Sequence, residues 1–332
     1  MFFETLQIEE RARLHNSHRI DRNYAAASGK SPLNMLRKDF GRNYQIYIMA
    51  LPVIAFYILF CYVPMYGAVI AFKNFSPGKG IFGSPWVGMT NFTNFFKSIF
   101  FFRIMKNTVV ISLTNILFGF PAPILLALLL NEIMNRVFKK FVQTVSYLPH
   151  FVSIMVVCGM IIDFTSLNGI VNDFLAFLGF ERVSFLLRPE MFVGVYVSTE
   201  IWQSIGWGSI IYIAAISSVE QEMYEAAIID GAGRFKQALH ITLPSLAPVI
   251  TIMFILRMGS VMSVGFEKIL LLQNNANLVN SDVISTFVYR RGLLNADYSY
   301  SSAVGLFNSV INFAFLLSAN WLSAKLRDTS LF

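Results

Sequence analysis

Few side chains in this 332-residue sequence are placed for covalent chemistry. Ser28-Gly29-Lys30-Ser31 has the ending of a phosphate-binding loop, in which backbone amides cradle phosphate and a lysine reaches its outer oxygens. Such a loop also needs a glycine five positions before Gly29, where Tyr24 stands, and a preceding apolar strand, which is missing. The four histidines are scattered and form no metal-spaced cluster, so no metal site is expected. His150 and Asp163 lie near the two ends of one apolar run, and no nucleophile–base set is visible with them. Cys61 and Cys158 both sit in apolar runs, where small buried thiols are expected rather than a disulfide. Nothing here makes a catalytic set, and the chain is read as a non-enzyme.

The polar residues that stand out are those inside apolar stretches. Glu200 and Arg257 are charges at membrane depth, where a charge is costly and faces a cavity or a partner. They can pair with each other, or Arg257 can snorkel to a surface. Trp202, Gln203, Trp207, Tyr212, Asn308 and Asn312 offer the aromatic faces, hydroxyls and amides that sugars require. Asn308 and Asn312 are four residues apart and share one helix face. For the asparagines the alternative is hydrogen bonding between helices, and for the tryptophans anchoring at the lipid interface.

The elements that hold these residues are legible from composition. A chain that is 55% hydrophobic, 15% aromatic and only 14% charged is too apolar for an ordinary soluble domain, where charged residues make up about a quarter. Uninterrupted apolar stretches predict six spans near 45–72, 107–131, 143–164, 191–216, 245–266 and 302–324. Only helices satisfy their own backbone in lipid over such lengths, and the alternating segments of about ten residues that build a membrane barrel are absent. The expected class is an all-α membrane protein, with a basic cytoplasmic N-terminal tail at 1–43 and a six-span domain at 44–332.

The net charge of +7 sets topology and gives no sign of nucleic-acid binding, since no zinc-finger pattern or basic stripe accompanies it. The tail residues Arg11, Arg13, Arg19, Arg22, Lys30, Arg37, Lys38 and Arg42 are expected on the cytoplasmic side. Arg136, Lys139 and Lys140 after the second span, and Lys325 and Arg327 after the last, fall on that same side. Segment 73–106, with Lys73, Lys79, Lys97, Arg103, Lys106 and no acid, is then outside; it reads as an amphipathic piece on the bilayer surface anchored by Trp86 and several Phe. Its basic excess fits either an acidic saccharide or lipid phosphate.

Between the fourth and fifth spans, residues 217–248 read as helix, turn and helix. Ser217 with Glu220 three positions on matches a capping box, which starts the first helix near 219, and Gly231 and Gly233 supply the positive φ that ends it near 230. Ala226 and Ala227 allow a second backbone to come close, beside the bulk of Met223 and Tyr224. Pro244 is expected to end the second helix, with Pro248 at the next span's mouth. These residues alone fit a plain helical hairpin or a docking surface.

Glu225-Ala226-Ala227, Asp230-Gly231-Ala232 and Ile241-x-Leu243-Pro244 together resemble the EAA loop of ATP-binding-cassette import permeases. Pro64-Met65-Tyr66-Gly67, Ala71-Phe72-Lys73, Gly83-Ser84-Pro85-Trp86-Val87-Gly88, Val264-Gly265-Phe266-Glu267-Lys268 and Ala303-Val304-Gly305-Leu306-Phe307-Asn308-Ser309 are similar to the polysaccharide, aldouronate and alginate branch of the carbohydrate permeases. The resemblance implies a MetI-like fold whose loop is a coupling helix seated in a cleft of a cytoplasmic ATPase, with Met223, Tyr224, Glu225, Ala226, Ala227, Asp230, Gly231, Leu243 and Pro244 as contacts or shape-setters. It implies a bacterial inner-membrane complex of this chain, a second permease subunit, two ATPase subunits that hold ATP and Mg, and an extracytoplasmic solute-binding protein. No cofactor is expected on this chain itself, and membrane lipid is its remaining partner. The substrate implied is an oligosaccharide, acidic ones such as alginate or uronate oligomers included. An ion-gradient-driven secondary transporter would need several intramembrane carboxylates and repeated broken helices, and a glycosyl-transferring membrane enzyme a catalytic set; neither rival explains the loop.

Overall fold

The computed structural model describes residues 32–327, with side chains described for residues 40–325. Ser28-Gly29-Lys30-Ser31, the basic side chains of the tail before residue 40 and the Arg327 side chain lie outside the described residues. Contacts divide the chain after Gly67 into two units. In the first, α1 (Pro32–Tyr57) departs from helical geometry at Asn43 and contains Pro52. It continues through a widened π turn at Ile58–Tyr62, so that Phe40–Phe72 is one helical run of 33 residues.

The second unit is likewise helical, and no strand occurs among the described residues; an isolated antiparallel bridge joins Lys73 to Trp86. After a short helix α2 (Thr90–Phe96), α3 (Phe101–Thr114) and α4 (Pro121–Glu132) form one run across a π turn at Asn115–Gly119. Beyond come α5 (Arg136–Tyr147), α6 (Ile154–Phe164), α7 (Phe192–Ile216), α8 (Gln221–Ile229) and α9 (Leu243–Met258). The chain closes with α10 (Phe266–Leu272), α11 (Ile284–Tyr289) and α12 (Tyr298–Arg327).

Four runs are long and apolar enough to cross a membrane alone: Phe40–Phe72, Phe101–Glu132, Arg234–Met258 and Tyr298–Lys325. The predicted third span is not one rod, because α5, continued by a helical turn to Phe151, and α6 are bent by 102° at Val152–Ser153 and make a span only as a broken pair. The predicted fourth span is α7, whose 25 residues are long enough at about 1.5 Å each. Its polar face from Ser198 to Ser204 keeps it from counting as a crossing helix by composition.

Pro64, Pro121 and Pro244 are accommodated by a common device. Proline lacks the N–H that binds the carbonyl four residues back, and its ring pushes that carbonyl aside. Phe60, Leu117 and His240 stand four before Pro64, Pro121 and Pro244, and each lies inside a π turn: Ile58–Tyr62, Asn115–Gly119 and Ala238–Thr242. The widened turn takes up the displaced carbonyl and the helix runs on. Pro244 therefore does not end a helix as predicted, and Arg234–Met258 is continuous.

Apolar clusters join the spans. Ile111, Val157, Tyr196 and Ile269 tie α3, α6, α7 and α10; Phe95, Ile104, Val261 and Val304 bring α2 and α12 to α3; Ala127, Tyr212 and Leu246 lock α4, α7 and α9. Segment 73–106 is thus more than a surface-lying piece. Phe92 and Phe95 are buried, Asn91 donates to the Ala71 and Lys73 carbonyls, and residues from 101 on belong to α3. Trp86 stays exposed, stacked on Phe72 at 5.7 Å.

Candidate functional site

Side chains three or four residues apart share a helix face, so Glu200, Ser204, Trp207, Gly208 and Tyr212 form one stripe along α7. A cavity of about 450 Å³ opens on it, lined also by Asn115, Pro123 and Arg257. A second, of about 510 Å³, shares Glu200 and Ser204 and adds His150, Ile154, Gln203, Glu267 and Lys268. The break between α5 and α6 lies against this stripe. The backbone of α5 approaches so closely that a Cβ at Gly206 would collide with the Ser146 carbonyl. Just before the break, His150 stacks on Trp207 with ring centroids 4.6 Å apart and planes within 3°. Ile154, the first residue of α6, lines the second cavity, and the N-cap Ser153 makes no side-chain cap.

The ion pair differs from the predicted Glu200–Arg257. Glu200 pairs with Lys268, Nζ to Oε2 at 3.1 Å, because α10 folds back onto α6 and brings a lysine that is only 3% exposed. Lys268 Nζ also lies 3.4 Å from Gln203 Oε1. Desolvation holds its ammonium below the ordinary lysine range, and the carboxylate of Glu200 acts against that shift. Arg257 lines the first cavity with Glu200.

Of the predicted pathway residues, Glu200, Gln203, Trp207, Tyr212 and Arg257 are brought together at these two cavities. Trp202 lines neither and is 46% exposed. Asn312 accepts from the Met262 amide at 2.8 Å and donates to Ser263 Oγ at 2.9 Å, which ties α12 to the turn after α9 and not to another helix. Asn308 lines a separate cavity.

Sequence reasoning passed over Lys268 as a membrane-region charge, since it lies outside every apolar run. It also passed over Asp282, which is 1% exposed and paired with both Arg103 and Arg290. Arg103 thereby stops contributing to the free basic excess of segment 73–106, whereas Lys73 keeps its charge and donates from Nζ to the Ile81 carbonyl at 2.6 Å.

In the loop, α8 begins two residues later than predicted. Its N-cap Glu220 has no side-chain cap, and Ser217 instead closes α7, with its hydroxyl donating to the Ile213 carbonyl. The predicted capping box is therefore not formed. Gly231 has the expected positive φ of +75°, whereas Gly233 has φ −68° and opens the next helical turn as its N-cap. Tyr224 Oη and Thr242 Oγ1 are 2.9 Å apart, fastening α8 to the π turn that leads into α9. Met223, Glu225, Ala226 and Asp230 are exposed, and Ala227 is half-buried. Ile228, Ile229 and Phe235, which sequence reasoning left aside, add exposed apolar surface at 61%, 86% and 80%.

Residues 119–328 match the family described as the binding-protein-dependent transport system inner membrane component. The chain belongs to that family. The permease is 43% identical over 288 residues to the polygalacturonan/rhamnogalacturonan transport system permease protein YteP of Bacillus subtilis (strain 168), which covers 86% of this chain and 90% of that one. It is similar, with TM-score 0.82 and 42% identity over 88% of this chain and 99% of the other, to a chain in the crystal structure of a bacterial ABC transporter involved in the import of the acidic polysaccharide alginate. A further structure, of bacterial alginate ABC transporter in complex with an alginate pentasaccharide-bound periplasmic protein, matches with TM-score 0.82 and 41% identity over 89% of this chain and 99% of that one. The permease is accordingly an inner-membrane transport subunit, and the readings as an ion-driven transporter or a glycosyl-transferring enzyme fall away.

Proposed function

We propose that this permease passes uronate-containing oligosaccharides across the bacterial inner membrane, forming half of a pathway whose other half is a different permease subunit. An extracytoplasmic binding protein delivers the substrate. Two ATPase subunits bind ATP and Mg and grip the surface around α8, so their closure tilts the helices on either side of the loop. ATP drives this only through its different affinity for the two ATPase states, so no phosphate site is needed on this chain. The basic residues after the second and sixth spans support a cytoplasmic N-terminus. Membrane lipid surrounds the exposed apolar faces.

The observation that carries the substrate class is the convergence at Glu200: Arg257 lines one cavity and Lys268 the other, beside the Trp207–His150 ring stack and the start of α6. The Arg257 guanidinium suits a substrate carboxylate, and stacked rings suit a sugar face. The carboxylates of Glu200 and Glu267 share the second cavity, with Glu200 held by Lys268. The test is stimulation of ATP hydrolysis in the reconstituted complex, with its binding protein, by uronate oligomers against neutral oligomers of equal length. Uronate oligomers are expected to stimulate more strongly, and Arg257→Gln to narrow the difference. Equal stimulation by both classes would contradict the acidic preference.

A further inference from the structure

A third cavity, of about 560 Å³, lies between α10, α11 and α12. Phe266 lines both it and the charged cavity at Lys268, and its ring centroid lies 5.3 Å from that of Tyr289 on the new cavity's wall. The chemistry of the two sides differs. None of the side chains lining the third cavity is charged; it is built from rings, aliphatic groups, serines and one amide.

Three polar atoms of that lining lack a partner. Ser285 Oγ, Ser301 Oγ and Asn308 Oδ1 are shielded from solvent and without a hydrogen bond among the described residues. Buried polar groups are ordinarily paired, because an unmade bond forfeits the hydration given up on burial. A serine hydroxyl reaches into an adjoining space by a change of one rotamer. Gly305 leaves the wall open there, since a Cβ built on it meets nothing within 4 Å.

We infer, resting on the saccharide reading above, that this cavity is a second subsite that takes an uncharged sugar unit of the same oligomer whose uronate unit occupies the charged cavities. Rings and aliphatic side chains face the sugar's apolar surface, while Ser285, Ser301 and Asn308 exchange hydrogen bonds with its hydroxyls. A carboxylate is disfavoured because no cation lines the space to offset its desolvation. The substrate class is thereby narrowed to mixed oligosaccharides in which acidic and neutral sugars adjoin.

The test is uptake by the complete reconstituted transporter of two oligomer sets of equal length, one all uronate and one alternating uronate with a neutral hexose. Wild type, Gly305→Ala and Gly305→Leu are compared; leucine on a helix favours folding and fills the cavity. Wild type is expected to favour the mixed set by about tenfold, and Gly305→Leu to bring that ratio near one while uptake of the all-uronate set stays within about twofold. Gly305→Ala should retain the preference. The subsite is overturned if uronate oligomers are carried but wild type shows no preference, or if Gly305→Leu reduces both sets equally. Failure of wild type to carry either set would instead overturn the saccharide reading, and the subsite with it.

Discussion

Lys268 reaches from a seven-residue helix beyond the fifth span to place its ammonium 3.1 Å from the carboxylate of Glu200 on the polar face of α7. The lysine is almost wholly buried and the glutamate one-third exposed, so the pair has a dry end and a cavity end. That asymmetry fixes α10 against α7 while leaving a carboxylate edge in both central cavities. Removing either partner strands the other, which is the costly event for a buried pair.

Glu200→Gln is therefore expected to destabilise the purified complex by about 3 kcal/mol, mostly through the stranded ammonium. The double variant Glu200→Gln with Lys268→Met should recover most of that loss. Thermal unfolding in detergent measures both, and additive losses in the double variant would show that the two side chains are not coupled.

Asp282 makes a second, independent case. Its carboxylate holds Arg103 of α3 and Arg290 just past α11, and Arg290 also donates to Gln273 Oε1 at 2.8 Å. Asp282→Asn leaves two guanidinium groups facing a neutral amide, and a loss of about 3 kcal/mol is expected. Arg103→Gln should cost less, because Arg290 still neutralises the carboxylate. The order of the two unfolding midpoints checks this; a larger loss for Arg103→Gln would refute it.

The spans were readable because lipid demands long apolar helices, a requirement carried by each segment alone. The α7 stripe was readable for the opposite reason, since Glu200 and Gln203 are polar where lipid forbids it. The break at Val152–Ser153 was not, because Pro149 just before it looks like any membrane-helix proline; Pro64, Pro121 and Pro244 are absorbed by π turns without a stop. The partners of Glu200 and Asp282 were hidden because they are distant in sequence, and Lys268 and Arg290 lie outside apolar runs. Ser217 was misread since its hydroxyl serves the helix behind it instead of the one ahead.

Among the described residues, the Tyr224–Thr242 bond is the side-chain hydrogen bond that joins α8 to the start of the fifth span's helical run. If α8 carries force, loosening this fastening should waste ATP. Tyr224→Phe is expected to leave ATP hydrolysis within about twofold of wild type, the hydroxyl bond being worth about 1 kcal/mol, while lowering sugar transported per ATP. Parallel assays of uptake and phosphate release in proteoliposomes give that ratio; an unchanged ratio would remove this bond from the coupling path.

The whole account requires the rod around Glu225 to face the cytosol and to be covered by the ATPase. Glu225→Cys, in a background with Cys61→Ser and Cys158→Ala, allows that surface to be labelled by a membrane-impermeant thiol reagent in sealed vesicles of either orientation. Labelling is expected only in inverted vesicles, and bound ATPase should protect the site. Labelling in right-side-out vesicles would contradict the coupling assignment and the topology beneath it.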